Sequence, residues 1–305
     1  MKTVFPNYYP DFQCITGACR HSCCIGWEID IDEETCQCYQ NIPGGFGDRL
    51  RENISGETIP HFILGEGERC PFLNRDNLCD IILELGENAL CQICTDHPRF
   101  RNFYTDFTEV GLGLCCEAAA EIILKQTEPF SLIGMENFNL PEEEAMLFSL
   151  REHLFELVQN RTLPLLERIQ NIQSQYRIAF PKKTNREWAE LFLSLDRLEE
   201  KWGELLVGLS RKDTLPPMPK EGDIPMEQLL CYFLYRHLPG GLDDGKYRER
   251  ILFSLLGVFM IAAICRLTCA DGFTMENLVE IARMYSSEIE YSEENTAALL
   301  EWLKQ

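Results

Sequence analysis

The sequence predicts a mainly α-helical protein in which a cysteine-rich N-terminal region, with only short strands or a hairpin, packs on a C-terminal helical bundle. Two observations predict this fold. Twelve of the fifteen cysteines lie within residues 1–125, and from Pro141 onward leucines recur every three or four positions, the period of an amphipathic helix. With 305 residues and 45% hydrophobic content, the chain can bury a sizeable core. We therefore expect two domains, residues 1–125 and residues 126–305.

The N-terminal region carries local signals for short elements. Alternating polar and apolar residues in Glu28–Asp32 predict a short strand, and the acids that follow predict the first turn of a helix that ends at Pro43-Gly44-Gly45. Residues 44–68 show no sustained period, so we expect an irregular wrap. The other expected elements are an aromatic extended arm before Cys14, a helix from Cys79 to Gly86, a hairpin within Arg99–Leu114 and a helix over Glu117–Lys125.

The C-terminal region is predicted to be a bundle of six or seven helices. After the first helix at Pro141, the expected segments are Leu163–Tyr176, Asn185–Leu209, Met226–Leu238, Lys246–Thr268, Thr274–Tyr285 and Glu293–Lys304. Arg211–Pro225 contains four prolines and is predicted to be a linker. The apolar run Ile251–Cys265 is fifteen residues long, short of the roughly 20 residues that cross a bilayer, so we expect a buried helix.

The net charge of the chain limits its partners. A formal charge of -21 argues against nucleic acid, whose phosphates would be repelled, and against anionic membrane surfaces. Cationic partners are favoured, although a general acidic surface explains the charge equally well. The N-terminal segment has no apolar stretch typical of a secretion signal, so we expect a cytoplasmic protein in which clustered thiols hold a soft metal.

The cysteine spacing predicts which thiols can bind the same metal centre. Cys14, Cys19 and Cys23 are five and four residues apart, close enough to face one metal centre. The adjacent side chains of Cys23 and Cys24 are expected to point in different directions and to serve different partners. With the later cysteines Cys70, Cys79, Cys94 and Cys115 the set has eight thiols, which suits two four-cysteine centres, or one centre and four thiols with other roles.

At these cysteines the sequence resembles a known family. The pattern F-x-C-x4-C-x3-C-C-x-G-W-x-I-x-I-D spans Phe12–Asp32, and C-P-F-L with L-C-D-I follows within Cys70–Ile81. L-x-x-x-C with a later Pro-Arg spans Leu90–Arg99, and C-x-E-A-A spans Cys115–Ala119. These ordered blocks, over roughly residues 8–125, resemble the flagellin lysine-N-methylase family of cysteine-cluster proteins. Beyond residue 125 the resemblance is limited to helical, leucine-rich character.

The resemblance implies a cytoplasmic enzyme that N-methylates lysines of a protein acceptor, flagellin, with S-adenosylmethionine as the methyl donor. It also implies an iron–sulfur cluster, of the 4Fe-4S type, held by Cys14, Cys19, Cys23, Cys24, Cys70, Cys79, Cys94 and Cys115. Two departures stand out. Cys116 occupies a position where the family usually has proline, and the C-terminal part is short, which leaves the acceptor less well defined. The oligomeric state does not follow from the resemblance.

Each chemical interpretation has a structural alternative. The other cysteines, Cys36, Cys38, Cys91, Cys116, Cys231, Cys265 and Cys269, are interpreted as small buried apolar residues. Arg99 is a candidate for binding the carboxylate of the donor, although a salt bridge to one of the many acids is the favoured explanation. His97 is interpreted as a structural residue at the turn before Pro98 rather than as a metal ligand. Sequence alone distinguishes no general base for the lysine, so the catalytic residue is unknown.

A second function class stays open at this point. No glycine-rich strand–turn–helix for a nucleoside is evident, and Cys19-x3-Cys23 is followed by Gly26 where radical enzymes that use S-adenosylmethionine have a third cysteine. The alternative is therefore a non-catalytic zinc or iron–sulfur module whose helical body binds a partner, since four-thiolate zinc sites stabilise folds without further activity. Disulfides within Cys14–Cys24 are a third possibility.

Overall fold

The computed structural model describes residues 2–135, 138–269 and 272–304, which fold as two compact units. The helical unit comprises Met1–Phe12 with Phe100–Gln305, and the cysteine unit comprises Gln13–Arg99. Mainly helical architecture is confirmed, with one small sheet. The cysteine unit is shorter than the expected domain of residues 1–125, because the first strand, the hairpin and the helix before residue 125 all belong to the helical unit.

The cysteine unit holds four short helices: α1 Glu33–Gln40, α2 Gly44–Glu52, α3 Asp80–Leu85 and α4 Gln92–Asp96. Asp32 caps α1, because its carboxylate accepts a hydrogen bond of 2.9 Å from the Thr35 N–H. The other carboxylate oxygen of Asp32 accepts one of 2.8 Å from the N–H of Gln92, the first residue of α4. One acid thus ties the starts of two helices together.

Extended backbone lies before α1, as the alternation in Glu28–Asp32 predicts. Ile29 and Ile31 are buried, and the intervening Asp30 is exposed. The Ile31 N–H donates to Pro60 and the Phe62 N–H donates to Ile29, which pairs this segment with residues 60–62 as an isolated bridge rather than a full strand. A small core forms around these residues: Ile29, Ile31, Tyr39, Leu50, Phe62, Cys70, Phe72, Leu73, Ile81 and Cys91.

The prediction of irregular structure over residues 44–68 is wrong at its start, where α2 forms. Three glycines in its first turn lower helix propensity and hide the signal. Gly47 is buried because α2 lies tightly against the preceding loop: a Cβ at this position would be 1.9 Å from the carbonyl oxygen of Ile42. Leu50 supplies the apolar anchor of the helix.

Two glycine substitutions in α2 test this close approach. Gly47→Ala is expected to lower the melting temperature, since its methyl group would collide with a backbone atom that cannot move without displacing the loop. Gly45→Ala is the matched control, because no atom lies within 4 Å of the added Cβ and alanine favours a helix by about 0.5–1 kcal/mol over glycine. Equal melting temperatures for both variants would contradict the packing of α2.

The helical unit contains a four-stranded sheet in the order β2-β3-β1-β4, formed by β1 Lys2–Pro6, β2 Arg99–Phe103, β3 Phe107–Leu112 and β4 Leu132–Ile133. The predicted hairpin is confirmed as β2 and β3. Only the first part of the predicted extended arm before Cys14 is extended: it forms β1, which pairs parallel with β3 and antiparallel with β4. The later part contains a 3-10 helix, Tyr9–Asp11. Strand β3 is buried along its whole length, because β1 and β2 flank it and helices cover the sheet.

Ten helices of the helical unit follow among the described residues. They are α5 Glu117–Lys125, α6 Glu142–Val158, α7 Leu165–Gln175, α8 Asn185–Leu193, α9 Glu200–Ser210, α10 Asp223–His237, α11 Gly241–Asp244, α12 Tyr247–Thr268, α13 Met275–Tyr285 and α14 Glu293–Trp302. Among the described residues, α12 alone is long and apolar enough to cross a membrane, and 72% of its most apolar window is buried within the protein. A core helix is therefore the simpler explanation, as predicted.

The single helix predicted for Asn185–Leu209 is wrong, because two helices form with a break between them. Side chains from the C-terminal part of the chain accept hydrogen bonds from the backbone at the break. Asn295 accepts from the Asp196 N–H at 3.0 Å, and Glu288 accepts from the Leu198 N–H at 2.8 Å. A sequence pattern carries no record of these distant acceptors. The predicted linker Arg211–Pro225 is irregular only in its first part, where the Pro216 carbonyl accepts a hydrogen bond from Arg266. Its end forms a 3-10 helix, Lys220–Gly222, and the first turn of α10.

A buried ion pair connects the sheet to α6. Glu109 of β3 and Arg151 of α6 are 0% and 1% exposed, and the guanidinium donates to both carboxylate oxygens of Glu109, one bond measuring 2.8 Å. The Tyr104 hydroxyl donates to the same carboxylate at 3.0 Å. A buried charge pair with this geometry leaves neither partner uncompensated.

Candidate functional site

Six cysteines of the cysteine unit lie in or around its small core. One is Cys36, and the other five are close enough for their charges to interact: Cys24, Cys70, Cys79, Cys91 and Cys94. The Cys70 N–H donates to the Cys24 carbonyl at 2.8 Å, which brings two distant cysteines side by side. The sulfur atoms of Cys91 and Cys94 are 3.4 Å apart. We call these five residues the thiol group.

Local structure explains how each thiol reaches this place. The chain turns at Asn74, whose side-chain oxygen accepts from the N–H groups of Asp76 and Leu78. This turn returns the chain so that Leu73 and Cys79 pair as an antiparallel bridge. Cys79 then lies directly before the first residue of α3, and Cys91 lies directly before the first residue of α4. Cys70 and Cys79 therefore lie on the two sides of one turn.

Hydrogen bonding and burial give these thiols different proton affinities. The hydrogen bond from Cys23 lowers the pKa of Cys24 to about 7, helped by Ser22 and the charge of Arg69 and opposed by burial. Burial raises the pKa of Cys70 to about 12. Within the pair joined at 3.4 Å, the hydrogen bond between the two sulfur atoms lowers the pKa of Cys91 and raises that of Cys94. The region thus offers thiolates beside protonated thiols, which is suited to a soft metal.

The expectation that Cys23 and Cys24 face different partners differs from the structure, in which the two side chains are hydrogen-bonded to each other. Cys23 is exposed, and its carbonyl accepts a hydrogen bond of 2.6 Å from the Trp27 indole. Cys14 is also exposed, with its sulfur accepting from the Thr16 N–H at 3.4 Å, and Cys19 is half-buried. The role of Cys14, Cys19 and Cys23 as metal ligands stays a prediction.

Cys115 lies in the helical unit rather than in the cysteine unit. Burial raises its pKa to about 12, against a hydrogen bond with Tyr291 and the charge of Arg236. Its assignment as a metal ligand likewise stays a prediction. Arg99, the predicted carboxylate-binding residue, is half-buried and donates to the Thr95 carbonyl at 3.3 Å.

From sequence, Cys91 is interpreted as a small buried apolar residue rather than as a metal ligand. Its C-x2-C spacing with Cys94 nevertheless indicates a shared site for the two thiols. Cys91 is buried like an apolar residue, yet its sulfur contacts that of Cys94. His97 agrees with its structural interpretation: its ring centre is 6.2 Å from that of Trp27, and burial, with the charge of Arg99, lowers its pKa to about 4. His97 is therefore neutral near pH 7.

Comparison with known proteins identifies one matching family and several similar proteins. The family described as the FliB lysine N-methylase C-terminal domain matches residues 110–305. A lysine-N-methylase of Salmonella choleraesuis and one of Salmonella typhimurium are each 29% identical over 162 residues, which is 50% of this chain and 40% of theirs. The flagellar biosynthetic protein FliU of Salmonella muenchen is 29% identical over 144 residues, covering 44% of this chain and 83% of FliU. No solved structure gives a significant match.

These matches have two consequences. The chain spans less than half of the length of the two lysine-N-methylases. The family match covers the helical region in which sequence motifs carried the least information, and it runs from strand β3 to the end of the chain. Because this match includes most of the helical unit, the chain belongs to the family of the FliB lysine N-methylase C-terminal domain.

Proposed function

We propose that this chain is a protein lysine N-methyltransferase that takes the methyl group from S-adenosylmethionine and acts on a flagellin-type acceptor. The family match over residues 110–305 carries this proposal. The names of the relatives, lysine-N-methylase and flagellar biosynthetic protein, support the reaction and the acceptor. The net charge of -21 is compatible with an acceptor that presents cationic lysines.

We further propose that the thiol group holds an iron–sulfur cluster. The donor set fits such a cluster, because thiolate sulfur is the ligand that iron–sulfur clusters require, and because five thiols from four separate segments line one core. Cys24 and Cys91 are the members most readily deprotonated, so they are the first candidates as ligands. A bound cluster would supply cross-linking of these segments, together with electron-transfer or Lewis-acid chemistry.

Zinc is the second candidate for the thiol group, with a purely structural role. The observation that favours it is the small size of the surrounding core, which consists of ten buried residues. Small cores commonly depend on a metal or disulfide for stability, and four-thiolate zinc serves this purpose. A brown protein that contains iron and sulfide after anaerobic purification would support the cluster; a colourless protein with stoichiometric zinc would support the alternative.

The function is tested on the flagellin of the host. Flagellin from wild-type cells, from cells that lack this chain and from complemented cells is digested, and methylated lysines are quantified by mass spectrometry. We expect methyl-lysine to disappear with the chain and to return on complementation. Unchanged lysine methylation would overturn the flagellin assignment and leave the metal proposal intact.

A further inference from the structure

A cavity of about 420 Å³ opens in the helical unit. Residues of β2, α10, α11, α12 and α14 line it, together with Lys246 before α12 and Glu290 in the turn before α14. This volume lies in the range of small-ligand pockets, roughly 300–1,000 Å³. Most of the lining residues lie within the range that the family match covers. The motifs found in the sequence do not include any of them.

A buried carboxylate lies against this cavity. The Glu290 side chain is 0% exposed and accepts a hydrogen bond of 2.6 Å from Nε2 of His237. The Tyr232 hydroxyl donates to Glu290 at 3.0 Å, and the Arg236 guanidinium lies 3.3 Å from it. Burial alone would raise the pKa of Glu290, but the charge of Arg236 and the bond from His237 lower it below its usual range. Glu290 is therefore ionised at neutral pH.

The ionised carboxylate fixes the tautomer of His237. An ionised carboxylate only accepts hydrogen bonds, so Nε2 of His237 carries the hydrogen and Nδ1 carries the lone pair. The His237 ring is held by Phe233, at 6.0 Å between ring centres, and by Phe253, at 4.8 Å. An imidazole oriented by a carboxylate through one nitrogen is a proton acceptor at the other.

Charged groups around His237 keep it neutral before substrate binds. Burial lowers the pKa of His237, and the cations Arg236 of α10 and Arg250 of α12 lower it further, while Glu290 opposes them. The net shift is downward from 6.5. At pH 7 the ring is thus uncharged and able to take a proton, which Glu290 would then stabilise as an ion pair.

The backbone around Glu290 is unusual. Ser286–Glu290 forms a π-helical turn between α13 and α14, and such turns are frequent at functional sites. The turn places Tyr291 against Gly113, where an added Cβ would be 2.2 Å from the Tyr291 hydroxyl and 2.9 Å from the Arg236 guanidinium. Only glycine fits at this contact, so the polar cluster is closely packed at Gly113.

We propose that this cavity receives the side-chain amine of the acceptor lysine, that His237 is its catalytic base and that Glu290 is the positioning residue. The proposal rests on the proposed function. The cavity lining carries three basic residues, Arg236, Lys246 and Arg250, and three acidic residues, Asp244, Glu290 and Glu293. Arg236 and Arg250 are compensated by Glu290 and Asp244, the latter at 2.8 Å, so the cavity is not a general anion site.

The chemical step balances as follows. An ammonium N–H bond of the lysine breaks and its proton goes to Nδ1 of His237. The nitrogen lone pair then forms a bond to the methyl carbon of S-adenosylmethionine, the carbon–sulfur bond breaks, and its electron pair stays on sulfur. The proton leaves His237 for solvent through the open cavity, and the neutral thioether product departs.

His237→Gln tests this proposal, with His153→Gln as its control. His153 lies on α6 with its side chain 40% exposed. We expect His237→Gln to lower kcat by about 10²–10⁴-fold, the usual contribution of a general base, with KM little changed and with wild-type activity for the control. The deficit should shrink as pH approaches about 10.4, where free lysine loses its own proton. A deficit that is constant with pH, or full activity of the variant, would overturn the role of His237.

Glu290→Gln separates positioning from catalysis. Loss of the carboxylate charge lowers the basicity of His237, so the acidic limb of the pH profile of kcat/KM should move to lower pH and the plateau should fall. An unmoved limb in a folded variant would contradict the role of Glu290.

A binding experiment keeps this inference separate from the proposed function. The chain has only five histidines, so the imidazole NMR signals of His237 can be assigned by their loss in His237→Gln. Titration with Nα-acetyl-lysine amide, without a methyl donor, should shift these signals and leave those of His153 in place. If the wild-type chain transfers no methyl group, the proposed function is wrong, and the titration still tests whether the cavity binds a lysine side chain. Unshifted His237 signals would then contradict lysine binding in the cavity.

Discussion

Arg151→Met is expected to lower the free energy of unfolding by about 3–5 kcal/mol, the cost of removing one partner from a buried ion pair. Glu109 would then be an uncompensated charge that is 0% exposed beneath the sheet. Tyr104 would remain as a donor to it, but one hydroxyl does not replace a guanidinium that donates to both carboxylate oxygens. Urea denaturation followed by circular dichroism measures the change.

Two comparisons make this prediction sharp. The double variant Glu109→Leu with Arg151→Met removes both charges and is expected to recover most of the loss, since apolar replacement of a buried pair is often neutral. Arg186→Met breaks the surface pair with Glu190, whose side chains are 76% and 59% exposed, and is expected to cost less than about 1 kcal/mol. Equal losses in the free energy of unfolding for Arg151→Met and Arg186→Met would show that the buried ion pair contributes no more to stability than the surface pair.

Cys70→Ser is expected to remove most of the metal from the protein. Cys70 is buried in the small core of the cysteine unit and its backbone is bonded to Cys24, so it is the central member of the thiol group. Iron, acid-labile sulfide and zinc are quantified after anaerobic purification, and absorbance in the visible range reports a cluster. The serine hydroxyl keeps the size of the side chain but is a poor ligand for a soft metal.

Cys231→Ala is the matched control for Cys70→Ser. Cys231 is also buried but lies in α10 of the helical unit, outside the thiol group. We expect this variant to keep its metal and to lose only some stability through the smaller side chain. Retention of full metal content in Cys70→Ser, or equal loss in both variants, would contradict the thiol group as the metal site.

The sequence indicated much of the cysteine unit because local rules govern it. The cap at Asp32, the turn at Asn74 and the end of α3 at Gly86 each depend on neighbours within a few positions. The same rules failed at α2, where Gly47 is required by a close contact with the Ile42 carbonyl. Intrinsic helix propensity takes no account of a contact of this kind.

The helical unit shows where local rules end. The break between α8 and α9 depends on Asn295 and Glu288, which lie about 90 residues further along the chain. Glu290 and His237 are likewise joined across 53 positions. The sequence does not indicate that this acid and this histidine pair, because no local pattern connects them. The cavity that they border is therefore visible only in the folded structure. By contrast, the C-x2-C spacing of Cys91 and Cys94 can be read from the sequence, and in the structure their sulfur atoms are 3.4 Å apart.

The most direct test of the account is methyl transfer by the purified chain. The chain, purified anaerobically, is incubated with S-adenosylmethionine carrying a deuterated methyl group and with unmethylated flagellin, and the lysines are mapped by mass spectrometry. We expect deuterated methyl groups on flagellin lysines with the wild-type chain and with His153→Gln, and strongly reduced labelling with His237→Gln. Absence of label from every lysine, with a folded and metal-loaded chain, would contradict the proposed methyltransferase activity.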